Sequence, residues 1–292
     1  MKIGMNMFLW TTEVTHEHFS LLEEIKKTGY DGIEVPVFDP NVAHYKTLDK
    51  ELKSNGLQST VVTVIPDQEH SPVSDNPKFR KGAVEYLKRV VDCCEVINAD
   101  VLCGPFYQVL GSKTGKGSTS KEVEHAIEVF QKVADYAKEA NVTMAVEALN
   151  RFECYFLNIT DHAAAFARYV DRENFGILYD TFHANIEEKD PIEAINNNSD
   201  MIKHIHISAN DRGTPGYGNI PWIETFNALR SFDYDGWCTV EAFGLNMPEF
   251  AASTCIWRPV SKSNKEAYTE GYKLIAEEWE NAGKIENMEC VK

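Results

Sequence analysis

The feature that most constrains the fold is an alternation of short apolar runs with amphipathic stretches, repeated along the whole chain. Short apolar runs bounded by turn residues are typical of buried strands. Eight runs are predicted to be strands: Lys2–Met7, Gly32–Val37, Ser59–Val64, Val101–Gly104, Thr143–Glu147, Phe175–Tyr179, Ile202–Ile207 and Trp237–Val240. Because a helical stretch separates most of them, successive strands are expected to pair in parallel through right-handed crossovers.

The intervening stretches place apolar residues at helical spacing, and several end in glycines suited to a left-handed stop. The predicted helices are His16–Thr28, Ala83–Ile97, Lys121–Ala140, Thr160–Val170, Pro191–Asn196, Pro221–Leu229 and Lys265–Ala282. Eight strand–helix units close naturally into a barrel of about 250 residues. The 292-residue chain is therefore predicted to be a single-domain α/β protein, a (β/α)8 TIM barrel spanning residues 1–292 and closed by the last helix. An open doubly wound sheet is the alternative, but no G-x-G-x-x-G follows the first strand.

The net charge of −16 limits the class of partner. Such a surface repels phosphate backbones and anionic headgroups, so we expect no nucleic-acid and no membrane partner. No uncharged apolar run approaches the roughly 20 residues of a membrane span, and the first residues turn polar too soon for a signal peptide. Seven cysteines without a C-x-x-C pair indicate reduced thiols and a cytoplasmic location.

Four consecutive strands end in side chains that can bind a metal ion. These side chains are Glu147, Asp180, His206 and Glu241, at the ends of strands five to eight. The carboxyl ends of barrel strands share one rim, where active sites are built. Three carboxylates crowded there would repel one another, and a divalent cation removes that conflict. Oxygen ligands with one imidazole suit Mn²⁺, Mg²⁺ or Co²⁺, of which Mn²⁺ is favoured.

Other polar and aromatic residues fall near the same rim. Glu153, His183 and Arg212 follow the ligand-type residues closely, and His204 is expected to lie deeper in the barrel instead of serving as a fifth ligand. Sugars present C–H faces that stack on aromatic rings. The aromatic residues predicted to contact a substrate are Phe8, Trp10, Tyr107 and Trp257.

Five segments carry a family resemblance: VEALNRFE at 146–153, YDTFHAN at 179–185, HIHISANDRGTPGYGNIPW at 204–222, YDGWCTVEAF at 234–243 and TCIWR at 254–258. With them the chain resembles the xylose-isomerase-like sugar isomerases and epimerases, and among these the tagatose and allulose (psicose) 3-epimerases. The resemblance implies that the four rim residues bind the metal and that Glu147 and Glu241 also act as acid and base on opposite faces of the substrate. It further implies that Glu153, His183 and Arg212 contact oxygens near the carbonyl, and that the protein is a dimer or tetramer.

The predicted activity is therefore epimerisation of a free ketose at C3, of the tagatose, allulose, fructose or ribulose type, through a metal-stabilised enediolate. Alternatives on the same scaffold are an aldose–ketose isomerase and a dehydratase or C-glycoside-cleaving lyase. A repair endonuclease of related barrel form would need a basic groove, which the net charge disfavours. A non-catalytic binding protein is the remaining alternative.

Overall fold

Eight parallel strands close into a barrel in a computed structural model, which describes residues 1–289, with side chains described as far as residue 282. The strands are β1 Lys2–Asn6, β2 Gly32–Pro36, β3 Gln58–Val62, β4 Val101–Gly104, β5 Thr143–Glu147, β6 Phe175–Asp180, β7 Ile202–Ile207 and β8 Trp237–Val240. They follow chain order around the barrel, and β8 pairs with β1 to close it. The predicted (β/α)8 TIM barrel is confirmed. Residues 290–292 lie outside the described residues, so the predicted extent of the domain to 292 stays a prediction.

Helices connect the strands on the outside of the barrel. They are α1 Phe19–Thr28, α2 Val42–Asn55, α3 Pro77–Val96, α4 Ser120–Glu139, α5 Thr160–Val170, α6 Thr181–Glu187, α7 Pro191–Asn197, α8 Trp222–Ser231, α9 Pro248–Ser253 and α10 Asn264–Glu289. Among residues 1–289, no helix combines the length and the apolar character needed to cross a membrane.

Three of these helices were not predicted, and two were predicted too short: α3 at its start, and α10, which continues to Glu289, seven residues past its predicted end. α2 buries only Tyr45, Leu48 and Leu52, and so narrow an apolar stripe gives a weak periodic signal. α6 and α9 have seven and six residues, too few for a period to show. α3 begins six residues before the predicted start, because Pro77 occupies its first position and the Asn76 side chain caps it.

The barrel interior is filled by alternate residues of each strand, since side chains of a strand point to opposite faces in turn. Trp237 fills the end where the strands begin, and its indole nitrogen donates to Asp100 at 2.9 Å. Glycine is required beside this ring, because a Cβ at Gly32 would lie 2.7 Å from the Trp237 ring. The same inward alternation carries Glu34 and His206 toward the opposite end, where the strands finish.

Candidate active site

The four rim residues predicted as ligands meet at the carboxyl ends of β5 to β8. Glu147 and Asp180 are the last residues of β5 and β6, His206 lies in β7, and Glu241 follows β8 directly. All four are buried. Ligand atoms of Asp180, His206 and Glu241 lie within 4.8 Å of one another, and Asp180 belongs to a second such group with Glu147 and His183. A buried candidate metal-binding cluster therefore exists at the predicted place.

The polar atoms of this cluster fit a cation. Oδ1 of Asp180 accepts from the backbone N–H groups of Phe182 and His183 and so caps α6. Oδ2 of Asp180 and Nδ1 of His206 are buried without a hydrogen-bond partner and lie 3.6 Å apart. Buried atoms of this kind are costly unless an ion or a donor satisfies them. Three carboxylates and one imidazole make an oxygen-rich donor set, which suits a hard divalent cation.

The two glutamates of the cluster differ in their surroundings. Burial raises the pKa of Glu147 well above its usual value, and the nearby charge of Glu241 adds to the effect. Burial alone would also raise the pKa of Glu241, but His206 and the Arg212 guanidinium together hold it below its usual value. The two carboxyl groups are therefore not equivalent, although both face the same cluster.

Arg212 connects the cluster to the rim. Its Nη1 donates to Oε2 of Glu241 at 3.0 Å, and its Nη2 lies 3.4 Å from Oε1 of Glu153. The guanidinium is stacked between two rings, 4.1 Å from the centroid of Phe182 and 4.4 Å from that of Phe243. Such stacking on aromatic faces suits the planar guanidinium better than it would suit an ammonium group.

His183 is the third polar residue predicted beside the cluster, and its ring meets hydrogen-bond donors on both nitrogens. The backbone N–H of Asn150 points at Nδ1 at 3.0 Å, and Nη2 of Arg212 lies 2.9 Å from Nε2. A neutral imidazole has one acceptor nitrogen, so only one of these approaches can be a full hydrogen bond. Burial, with the charge of Arg212, lowers the pKa of His183 to about 3. The ring is therefore neutral, and Nε2 lies 3.5 Å from Oε1 of Glu147.

The structure does not gather the four predicted aromatic contacts into one wall. Phe8 packs edge-on against Phe243, which reaches the cluster through Arg212. Tyr107 is fully buried, with its hydroxyl 3.3 Å from Sγ of Cys154. The other two rings also lie apart, Trp10 against Tyr268 and Trp257 at 73% exposure. Their role in binding a substrate stays a prediction.

Several residues that complete the site escaped sequence reasoning. Glu34 stands in the middle of β2 and is fully buried, Asn6 ends β1, and Asn150 follows β5. A charged residue inside the apolar run GIEVP was the available signal for Glu34, since an unpaired charge is rarely buried. His204 lies deeper than the cluster, where it was expected, with Nε2 2.8 Å from Glu34.

With this geometry in place, comparison with known proteins decides the family. Residues 22–273 match the xylose isomerase-like TIM barrel family. The chain belongs to this family. The resemblance of the sequence to this family is thereby confirmed.

Relatives of this xylose isomerase-like barrel include ketose epimerases. A probable ketose 3-epimerase of Synechocystis sp. is 32% identical over 285 residues, which cover 96% of this chain and 97% of the relative. A ketose 3-epimerase of Arthrobacter globiformis is 29% identical and covers 91% of this chain and 92% of its own. A solved structure of an L-ribulose 3-epimerase superposes with a TM-score of 0.91 at 25% identity, covering 98% of this chain and 97% of that one. The protein is an isomerase of the carbohydrate-epimerase class.

Proposed function

We propose that the protein epimerises a free ketose at C3, with Glu147 and Glu241 as a two-face acid–base pair. Its relatives named as ketose 3-epimerases support the reaction. The observation that carries the proposal is the placement of the two glutamates. They extend from the ends of β5 and β8 at one buried rim, with β6 and β7, which carry Asp180 and His206, between them. Inversion at carbon needs a proton acceptor on one face and a donor on the other.

Glu147, Asp180, His206 and Glu241 would hold one divalent cation, for which we propose Mn²⁺ ahead of Mg²⁺ or Co²⁺. When bound, the cation supplies stabilisation of the negative charge that develops on the substrate oxygens. Oδ2 of Asp180 and Nδ1 of His206 support this assignment, since both are buried without a hydrogen-bond partner.

The chain's own groups move the proton. Oε2 of Glu241 is held by Arg212, so its carboxylate keeps one orientation relative to a bound sugar. Oε1 of Glu147 lies 3.5 Å from Nε2 of the neutral His183 ring, and Glu147 would reach the substrate from the other side. One glutamate removes the C3 proton and the other returns a proton to the opposite face. In the reverse direction the roles exchange. Glu153, His183 and Arg212 would contact the substrate oxygens near the carbonyl.

The test uses a panel of free ketoses of the tagatose, allulose, fructose and ribulose types with Mn²⁺ in D₂O, followed by NMR. We expect the C3 epimer to appear with deuterium at C3 alone. Deuterium at C1 or C2 would indicate an aldose–ketose isomerase, loss of water a dehydratase, and release of an aglycone a C-glycoside-cleaving lyase. Any of these would replace the proposal.

The roles of the two glutamates are tested with Glu147→Gln and Glu241→Gln. Each should lower kcat by about 10²–10⁴-fold, as expected for loss of a positioned acid or base. The matched control is Glu224→Gln, an exposed residue of α8, which should retain full activity. Mn²⁺ binding is measured on all variants, so that loss of the cation is separated from loss of the proton carrier. Full activity in either active-site variant would refute the pair. The predicted homo-oligomeric state and cytoplasmic location stay predictions.

A further inference from the structure

Glu34 is a fully buried carboxylate that the proposed chemistry does not use. It lies in the middle of β2, and polar side-chain atoms of five residues lie within 3.0 Å of its carboxylate oxygens. The atoms around it are Nε2 of His206 at 2.7 Å, Nδ2 of Asn6 at 2.8 Å, Nε2 of His204 at 2.8 Å, Oγ1 of Thr60 at 2.9 Å and Sγ of Cys103 at 3.0 Å. A buried carboxylate is retained only with such compensation, so its surroundings constrain it strongly.

The two oxygens of Glu34 have separate partners. Oε2 contacts Thr60, Cys103 and His204, which come from β3, β4 and β7 in the barrel interior. Oε1 contacts His206 and Asn6, nearer the rim. The three contacts to Oε2 fix the plane of the Glu34 carboxylate, so that Oε1 points toward His206.

This contact determines which nitrogen of His206 is available to bind a cation. A carboxylate only accepts hydrogen bonds, so Nε2 of His206 must carry the proton that it shares with Glu34. Nδ1 then faces Oε1 of Glu241 at 3.3 Å and Oδ2 of Asp180 at 3.6 Å. A metal-binding histidine is commonly oriented in this way by a carboxylate on its other nitrogen.

The same oxygen of Glu34 also reaches a second ligand through Asn6. Nδ2 of Asn6 donates to Oε1 of Glu34 at 2.8 Å and lies 3.3 Å from Oε1 of Glu241. Oδ1 of Asn6 accepts from the backbone N–H of Phe8 at 2.8 Å, which holds the amide in place. One buried carboxylate thus orients two of the four cluster residues.

We propose that Glu34 is a positioning residue for the divalent cation, acting through Oε1 on His206 and, by way of Asn6, on Glu241. This inference rests on the proposed metal site. Partners behind metal ligands typically account for about 10–100-fold in metal affinity. Glu34 would therefore determine how tightly the cation is held without touching it.

The experiment titrates Mn²⁺ into the full-length protein, metal-free at the start, and follows binding by calorimetry. Glu34→Gln keeps the shape of the side chain but removes its charge, and its Kd for Mn²⁺ should rise by about 10–100-fold. The matched control is Thr60→Val, which removes a contact from Oε2 without touching His206. Its Kd should stay within about threefold of the wild type, because Oε1 of Glu34 keeps its contacts with His206 and Asn6. Thermal unfolding of the metal-free variants reports the purely structural cost of each change.

Three results would overturn the inference. One is a Kd for Glu34→Gln within threefold of the wild type, and another is an equal loss in Thr60→Val. The third is measured on the wild type and is needed if Glu34→Gln fails to fold. In ¹⁵N NMR of histidine-labelled protein saturated with Mg²⁺, we expect the His206 proton on Nε2. A proton on Nδ1 contradicts the proposal. These outcomes leave the proposed epimerase intact, whereas a wild type that binds no divalent cation removes both.

Discussion

Arg212 and Glu241 form a buried pair in which Nη1 of the arginine lies 3.0 Å from Oε2 of the glutamate. The arginine backbone adopts a left-handed conformation, with φ of 59°. Residues other than glycine adopt this conformation uncommonly, and it is enriched at sites where the surroundings enforce it. The pair therefore joins a strained loop residue to one of the two proposed proton carriers.

Arg212→Lys should impair the enzyme although the charge is kept. A lysine cannot contact Glu241 and His183 together, and it loses the stacking between Phe182 and Phe243. We expect a loss of about 1–3 kcal/mol in the free energy of unfolding by urea. We also expect about a 10²-fold lower kcat/KM, as for a misplaced catalytic group. Arg258→Lys, at an exposed arginine paired with Asp211, serves as control and should behave as the wild type. Normal kcat/KM in Arg212→Lys would contradict the proposed alignment of Glu241.

Removal of divalent cations should both inactivate and destabilise the protein. Without a cation the carboxylates of Glu147, Asp180 and Glu241 repel one another in a buried cluster. A ligand that binds only the folded state stabilises it by about 2.7 kcal/mol at a concentration of 100 Kd. Dialysis against EDTA should lower Tm and abolish activity, and Mn²⁺ should restore both. A Tm that does not respond to saturating Mn²⁺ would argue against the cation site.

Tyr107→Phe separates a role in packing from a role in sugar binding. The hydroxyl lies 3.3 Å from Sγ of Cys154 and 3.5 Å from the carbonyl oxygen of Leu157, inside the protein. We expect a loss of about 1 kcal/mol in stability, from one weak internal hydrogen bond, and an unchanged KM. Tyr45→Phe, which removes another buried hydroxyl, is the control for stability. A raised KM in Tyr107→Phe alone would instead support the sugar contact predicted from sequence.

The buried cysteines should resist alkylation in the native protein. Burial, with the nearby charge of Asp92, raises the pKa of Cys93 to about 12, and only the thiolate reacts. Native labelling of Cys93 by iodoacetamide should therefore stay slow from about pH 7 to 9, whereas the exposed Cys255 is accessible to the reagent. Peptide mass spectrometry measures each site, and labelling in urea gives the unfolded reference. Fast native labelling of Cys93 would contradict the burial.

The raised pKa of Cys93 also makes the free energy of unfolding depend on pH. The folded state keeps the Cys93 proton up to about pH 12, while the unfolded thiol releases it near its ordinary value of 9.0. The unfolded state thus binds fewer protons between these values, and stability falls as pH rises through them. Urea titrations of the wild type and Cys93→Ala across this range should show a steeper decline for the wild type. Parallel curves would contradict the assignment.

Local patterns in the sequence were sufficient to predict the barrel and the four rim residues. Strand periodicity, helical spacing and strand-end carboxylates are local properties, and all eight strands lie where they were predicted to within two residues at either end. Helices with a weak local pattern were missed. α2 buries only a narrow apolar stripe, and α9 is too short to show a helical period. The cluster of Glu147, Asp180, His206 and Glu241 was found because parallel strands must deliver their ends to one rim.

The residues that surround and orient these four side chains could not be predicted, because they come from distant parts of the chain. Glu34 reaches His206 across 172 positions of sequence, and Asn6 reaches Glu241 across 235, because closure of the barrel sets β1 between β2 and β8. No local sequence pattern predicts such contacts. They depend on the stagger of the strands, which sets the side chains that lie at the same height along the barrel axis. The chain's residue order thus specified the four ligand-type side chains at the rim, while the closed barrel selected which nitrogen of His206 faces Asp180 and Glu241.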